Sequence, residues 1–168
     1  MSYQEKRTIT NMITMALVLA SYCSYAFGKY QAGAVEASDL KFWATTMLIF
    51  ISIGIAAGIV IQIIFHILIS IAIAVKEKVR DVNKDDKEIE RSIKAEMVED
   101  EMDKLINQKS MMAGFSIAGF GFIAALVSLV LNYPPMVMLN IMFLTFSAGS
   151  VLEGFVQLYF YRRGIAHG

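Results

Sequence analysis

The chain has 168 residues, of which 57% are hydrophobic and only 18% are charged. Its 15 basic and 15 acidic residues give a formal net charge of zero, which excludes the strongly basic surface typical of nucleic-acid-binding proteins. The composition also argues against a water-soluble globular protein, because most charges are concentrated in residues 76–109 and long uncharged runs lie on both sides.

The first uncharged run covers residues 8–27 and directly follows Lys6 and Arg7. A helix of this length crosses about 30 Å of hydrocarbon, so the run predicts an uncleaved membrane-spanning helix. Cys23 lies within it and is the single cysteine of the chain, which excludes a disulfide within the chain.

The second uncharged run, residues 42–75, is longer than one bilayer crossing requires, so its excess has to tilt, protrude or pack against protein. We expect Ser38 to cap this helix and Trp43 to lie at the membrane interface. Small and polar residues repeat every four positions along one face: Gly54, Gly58, Gln62, His66 and Ser70. The two glycines allow close helix packing, either within the chain or between two copies.

The charged segment 76–109 contains apolar residues at helical spacing. This spacing predicts a helix that begins near Asp86 and runs straight into the third span. With the end of the second span and a turn near Asp81–Asp85, it would form a helical hairpin extending about 30 Å into the cytoplasm. Its apolar stripe is a candidate docking surface, to be covered by the other half of the hairpin, a second copy or a cytosolic protein; it includes Ile89, Ile93, Met97, Met102 and Leu105.

The same segment contains five carboxylates on neighbouring turns: Glu96, Glu99, Asp100, Glu101 and Asp103. Such a group could bind a divalent cation, but a solvated helix face explains it better. No zinc-protease, serine-hydrolase or phosphate-loop motif is present in the sequence. We therefore expect no metal, no cofactor and no enzymatic activity.

The third and fourth spans are predicted at residues 110–131 and 136–161. Pro134 and Pro135 interrupt the pattern between them, so a tight turn should make the two spans antiparallel neighbours. Small residues of the third span allow close packing: Ser110, Gly114, Ala118, Gly121 and Ala125. Polar and small residues lie near one face of the fourth: Asn140, Ser147, Ser150, Glu153, Gly154 and Gln157.

The distribution of basic residues predicts the orientation of the four spans. Thirteen basic residues lie in the N-terminus, the segment 76–109 and the C-terminus, whereas the first loop has only Lys29 and Lys41. By the positive-inside rule, both termini lie in the cytoplasm. The predicted fold is a single all-α domain, residues 1–168: an integral membrane four-helix bundle with a cytoplasmic helical hairpin.

Polar residues within the spans are the candidate functional site, because polar groups in hydrocarbon usually face the interior of a bundle. His66 and Glu153 lie about 15 Å along their helices from the nearest cytoplasmic basic residues, so we hypothesise that they meet. This cluster would include Gln62, Ser150 and Gln157. The pair either transfers protons or binds a small substrate, or it is a structural contact that sets helix register, which we favour.

The stretch Asp100-Glu101-Met102-Asp103 precedes a span, a short turn, another span and Tyr161-Arg162-Arg163-Gly164. This arrangement resembles a family of small prokaryotic four-span membrane proteins whose shared domain has no assigned function, over roughly residues 96–164. In that family an arginine usually stands where this chain has Met102. The resemblance implies a prokaryotic cytoplasmic membrane and four spans, and it implies no activity.

Two functions fit these features. The first is a small non-enzymatic membrane protein that acts through protein partners, as a regulatory, accessory or immunity-type component, with the hairpin as its docking surface. The alternative is a small oligomeric transporter or channel that uses Glu153 and His66. The expected partners are the lipid bilayer and either a second copy or another protein, with no nucleic acid.

Overall fold

A computed structural model describes residues 2–80 and 85–164, and every element in these two ranges is an α-helix. The elements are α1 (Tyr3–Gln31), α2 (Leu40–Arg80), α3 (Asp86–Met97), α4 (Glu101–Val130) and α5 (Pro135–Arg163). Four stretches of helix are long and apolar enough to cross a membrane, and these are α1, α2, the stretch that contains α4, and α5. The prediction of an all-helical protein with four long apolar helices is therefore confirmed.

α1 lies between α2 and α5 and runs antiparallel to both. Tyr22 illustrates this position, since its ring packs edge-on against Phe50 of α2 and its hydroxyl donates a 2.7 Å hydrogen bond to Asn140 of α5. α4 packs mainly on α5. Asn132 turns the chain between them with a φ of 61°, a left-handed conformation that asparagine tolerates. The order across the bundle is thus α2, α1, α5, α4.

The contact between α4 and α5 is close because small residues face each other. A Cβ atom added to Gly114 would lie 2.9 Å from the carbonyl oxygen of Gly149, and one added to Gly149 would lie 2.7 Å from the carbonyl oxygen of Gly114. Further along, Thr145 occupies the space left by Gly121. The buried residues of α4 include the small ones noted in the sequence: Ser110, Gly114, Ala118, Gly121 and Ala125.

At the α1–α2 connection, the Trp43 side chain is fully buried among other side chains of the protein. Its ring packs against Tyr30, and its indole nitrogen donates to the carbonyl oxygen of Glu36 at 3.4 Å. The indole therefore closes the connection between the two helices. The side chain that caps α2 is that of Asp39 and not, as the sequence had predicted, that of Ser38. The Asp39 carboxylate accepts a 3.0 Å hydrogen bond from the backbone amide of Phe42, in the first turn of the helix.

The expectation of a continuous helix from Asp86 into the third span was also wrong. α3 ends at Met97, and α4 begins three residues after Val98. Asp100 and Asp103 account for the new start, since each carboxylate accepts a hydrogen bond from the amide of the other, at 2.7 and 3.1 Å. This reciprocal capping box stabilises the first turn of α4 and separates it from α3.

α3 packs antiparallel against the last part of α2. Lys78 and Asp86 form an ion pair of 3.4 Å near one end of the contact, and Met97 lies beside His66 at the other. Ile73 and Ile89 are the buried residues of these two segments. The predicted turn near Asp81–Asp85 lies, except for Asp85, outside the described residues.

Candidate functional site

A polar cleft of about 330 Å³ lies at the end of the bundle where Arg7, Glu99 and Arg162 are found, which we call the charged end. α1, α2 and α5 form most of the cleft, and the start of α4 closes one side. Its polar lining consists of Gln4, Arg7, Thr8, Asn11, Gln62, Glu99, Asn107, Ser150, Glu153, Gln157 and Tyr161. The cleft is therefore polar although it is built largely from apolar helices.

Helical spacing brings these side chains together. On α1, Gln4, Thr8 and Asn11 are four and three residues apart and thus share one face. On α5, Glu153 and Gln157 are four residues apart in the same way, with Ser150 and Tyr161 on adjoining turns. Because α1 and α5 are antiparallel neighbours, the two polar faces meet at the charged end.

Hydrogen bonds connect three helices across the wall of the cleft. The Thr8 hydroxyl donates to Oε1 of Gln157 at 2.8 Å, and Nε2 of Gln157 donates to Oδ1 of Asn107 at 2.8 Å. Gln157 therefore links α1, α4 and α5 through one side chain. Such a satisfied network sets the relative register of the helices.

Arg7 forms the second set of contacts, at the mouth of the cleft. Its Nε donates to Oε1 of Gln62 at 3.3 Å, and its Nη1 lies 3.3 Å from a carboxylate oxygen of Glu99. Nε2 of Gln62 in turn donates to Oδ1 of Asn11. Arg7 and Glu99 are each more than two-fifths exposed, so solvent weakens their ion pair.

Two polar groups of the cleft have unused hydrogen-bonding capacity. Gln4 is only 7% exposed, and its Nε2 atom has no acceptor among the residues that the structure describes. Within the described part of the chain, the Glu153 carboxylate makes no hydrogen bond or ion pair. The Glu153 side chain packs on α4, where a Cβ atom added to Gly114 would lie 3.4 Å from the Glu153 Cβ.

The structure does not bring His66 and Glu153 together. His66 lies exposed in a second, shallower cleft with Tyr3 and Met97, and Glu153 does not line that cleft. Gln62, one turn earlier on α2, is the polar residue of this helix that reaches the cleft beside Glu153. Four residues of an α-helix cover one full turn and about 40° more. His66 therefore points in a different direction from Gln62, away from the polar cleft.

The glycines of α2 have different surroundings. Gly54 is buried against α1, where an added Cβ would lie 3.6 Å from Cγ1 of Val18. Gly58 has no atom within 4 Å of that position and lines the polar cleft. Gly54 therefore packs within the chain, whereas Gly58 leaves room in the cleft.

The apolar stripe of the charged segment is divided between helix contacts and the surface. Ile89 is buried, and Ile93 and Met97 are partly buried where α3 packs on α2. Met102 and Leu105 lie exposed on α4. A further open apolar face near the charged end lies on α2, and the sequence pattern did not single it out.

Sequence reasoning found the α5 part of the cleft and Gln62 but missed the α1 part. Gln4, Thr8 and Asn11 provided a signal, because they place polar side chains on one face at the start of a span. In residues 2–80 and 85–164, no group of three or more histidine, cysteine, aspartate or glutamate residues is arranged to hold a metal ion. Comparisons with protein-family models, curated proteins and solved structures found no match.

Proposed function

We propose that this chain is a non-enzymatic, four-span protein of the cell membrane that acts through a protein partner. In this proposal the charged end and both termini face the cytoplasm, and the partner binds an apolar face at the end of α2. The distribution of basic residues supports the orientation. The proposed role is regulatory or accessory.

The observation that carries the proposal is an exposed apolar face on the last part of α2. Tyr3, at the start of α1, packs against Phe65 with ring centroids 5.6 Å apart, so α2 continues about 22 Å beyond α1. Five large aliphatic side chains at and beyond the level of Phe65 are each at least half exposed, and their spacing puts them on one side of the helix: Ile64, Ile67, Leu68, Ile71 and Val75. We call these five residues the α2 face.

The charges of α3 support a location of the α2 face outside the hydrocarbon. α3 runs beside the same part of α2, and seven of its 12 residues are charged. Glu90 and Lys94, for example, form an ion pair of 2.7 Å on its exposed surface. A helix with so many charges is too costly to place in hydrocarbon, so this level of the molecule lies in water or headgroups. An apolar face of this size in water favours a protein contact.

The geometry gives the transporter alternative less support. Polar lining ends near Ser150, and towards the opposite end the space between α2 and α5 is lined by apolar side chains such as Val18, Phe50 and Phe143. A polar pathway from one side of the membrane to the other is therefore not formed within this chain's described residues. His66 and Glu153 also line separate clefts.

Site-specific photo-crosslinking in native membranes tests the proposal. A photoreactive amino acid at Leu68 should give a discrete protein adduct, because this side chain is 60% exposed on the α2 face. The same residue at Phe120, which is 75% exposed in the middle of α4, should give lipid adducts. Exclusively lipid adducts at Leu68 would overturn the proposal.

The mass of the Leu68 adduct identifies the kind of partner. An adduct of twice the 18.7 kDa chain mass indicates a second copy, which co-expression of two differently tagged chains would verify. Any other discrete mass indicates a different protein. Both outcomes support a protein contact at the α2 face and decide between the two kinds of partner.

A further inference from the structure

The polar cleft continues into an apolar groove of about 500 Å³ between α2 and α5. Met15 and Ser150 line both spaces, so the two are adjacent. α1 forms the floor, and the walls of the groove include Phe50 of α2 and Phe143 of α5. Each volume lies in the range of about 300–1,000 Å³ that is usual for ligand sites. The combined site is amphipathic, with its polar part at the charged end.

The part of the cleft near the charged end contains two side chains with N–H groups, Gln4 and Arg7. Among the described residues, the buried Nε2 atom of Gln4 has no hydrogen-bond partner, whereas the Arg7 guanidinium, less than one turn further along α1, contacts Gln62 and forms a half-exposed ion pair with Glu99. A buried donor without an acceptor is unfavourable, and a guanidinium binds phosphate oxygens with favourable geometry. A phosphate group at this end of the cleft would accept hydrogen bonds from the Arg7 guanidinium, and from the Gln4 amide after a rotation of the Gln4 side chain.

At the junction between cleft and groove, the ligand has to donate a hydrogen bond and not accept one. Glu153 lies there, close to Ser150, and has no partner among the described side chains. An ionised carboxylate only accepts hydrogen bonds, so a ligand group beside it should donate one. A free hydroxyl meets this requirement, whereas an ester oxygen does not.

We propose that the cleft and groove bind one monoacyl glycerophospholipid. The phosphate contacts Gln4 and Arg7, the free glycerol hydroxyl donates to Glu153, and the single acyl chain lies in the groove between Phe50 and Phe143. This proposal relies on the membrane location proposed above and is independent of the protein partner.

Native mass spectrometry of the full chain in a mild non-ionic detergent tests this proposal. The protein is incubated separately with monoacyl phosphatidylethanolamine, diacyl phosphatidylethanolamine and monoacylglycerol. We expect the monoacyl phospholipid to be retained about tenfold more than either comparison lipid, because each of those lacks one of the two required groups. Equal retention of all three lipids would overturn the proposal.

Variants separate the contributions of the three parts of the site. Gln4→Leu removes an unpaired buried donor, so it should leave the fold as stable or more stable and reduce the preference over monoacylglycerol, while the Arg7 contact remains. Glu153→Gln should abolish the preference over the diacyl lipid, because a glutamine amide also donates. Unchanged preferences in both variants would contradict the assigned contacts.

Ser147→Phe provides the steric test, since Ser147 lines the apolar groove and its hydroxyl bonds only the carbonyl oxygen of Phe143, at 2.8 Å. The added ring should fill the groove and reduce retention of the monoacyl phospholipid about tenfold. Ser116→Phe is the matched control, because the Ser116 hydroxyl makes the same kind of bond on an exposed face of α4. Wild-type retention in Ser147→Phe would place the lipid elsewhere and overturn the proposal. Failure of the partner proposal is detected separately, by crosslinking at Leu68.

Discussion

Gly149→Leu should strongly destabilise the protein by disrupting the contact between α4 and α5. The Cβ atom alone would lie 2.7 Å from the carbonyl oxygen of Gly114, and that atom belongs to the backbone, so it cannot rotate away. α4 and α5 would have to separate along their contact. We expect a loss of about 3 kcal/mol in the free energy of unfolding, measured by denaturant titration in a mild detergent.

Gly119→Leu is the matched control for this substitution. Gly119 lies on the exposed side of α4 and has no atom within 4 Å of an added Cβ. The change should therefore be neutral or slightly stabilising, because leucine favours a helix over glycine by roughly 0.8 kcal/mol. Equal stability of the two variants would show that α4 and α5 are not in close backbone contact.

Replacing Ile67 and Ile71 together by glutamate should abolish the partner contact. Both side chains are more than half exposed on the α2 face, so the isolated chain can accept charges there with a change in unfolding free energy of about 0.5 kcal/mol or less. A protein that covers this face would bury two unpaired carboxylates, which is strongly unfavourable. The photo-crosslinked adduct at Leu68 should fall below detection while the level of folded protein stays the same.

A second pair of glutamates controls for charge. Ala95 on α3 and Val98 in the connection to α4 are exposed at about the same level of the molecule, and their spacing is similar. Ala95→Glu with Val98→Glu should leave the Leu68 adduct unchanged. Loss of the adduct in both pairs would indicate a general effect of negative charge rather than a contact at the α2 face.

The four long helices follow from the sequence because their signals are strong and local. Apolar runs long enough for a bilayer crossing and the two prolines before α5 define where helices lie and where the chain turns. The break between α3 and α4 depends on finer chemistry. Both Asp85 and Asp100 could begin a helix, but only the Asp100 side chain accepts a capping bond, and apolar periodicity continues through the break.

The site was predicted less completely, for geometric reasons. Helical periodicity groups Glu153 with Gln157 on α5 and Gln62 with His66 on α2, but it does not give the rotation of one helix against the next. That rotation directs Gln62 into the cleft and His66 outwards. The α2 face could not be predicted from the sequence either, because a long apolar run does not indicate which part of the helix extends beyond its neighbours.

The most direct test of the account is the labelling of single cysteines with a membrane-impermeant thiol reagent. Starting from a Cys23→Ala chain, one variant has Ala34→Cys in the exposed α1–α2 connection, and the other has Lys87→Cys on the exposed surface of α3. If the charged end faces the cytoplasm, intact cells should label only the Ala34→Cys chain, and Lys87→Cys should react after permeabilisation. Labelling of Lys87→Cys in intact cells would contradict the proposed orientation, and with it the cytoplasmic location of both the cleft and the α2 face.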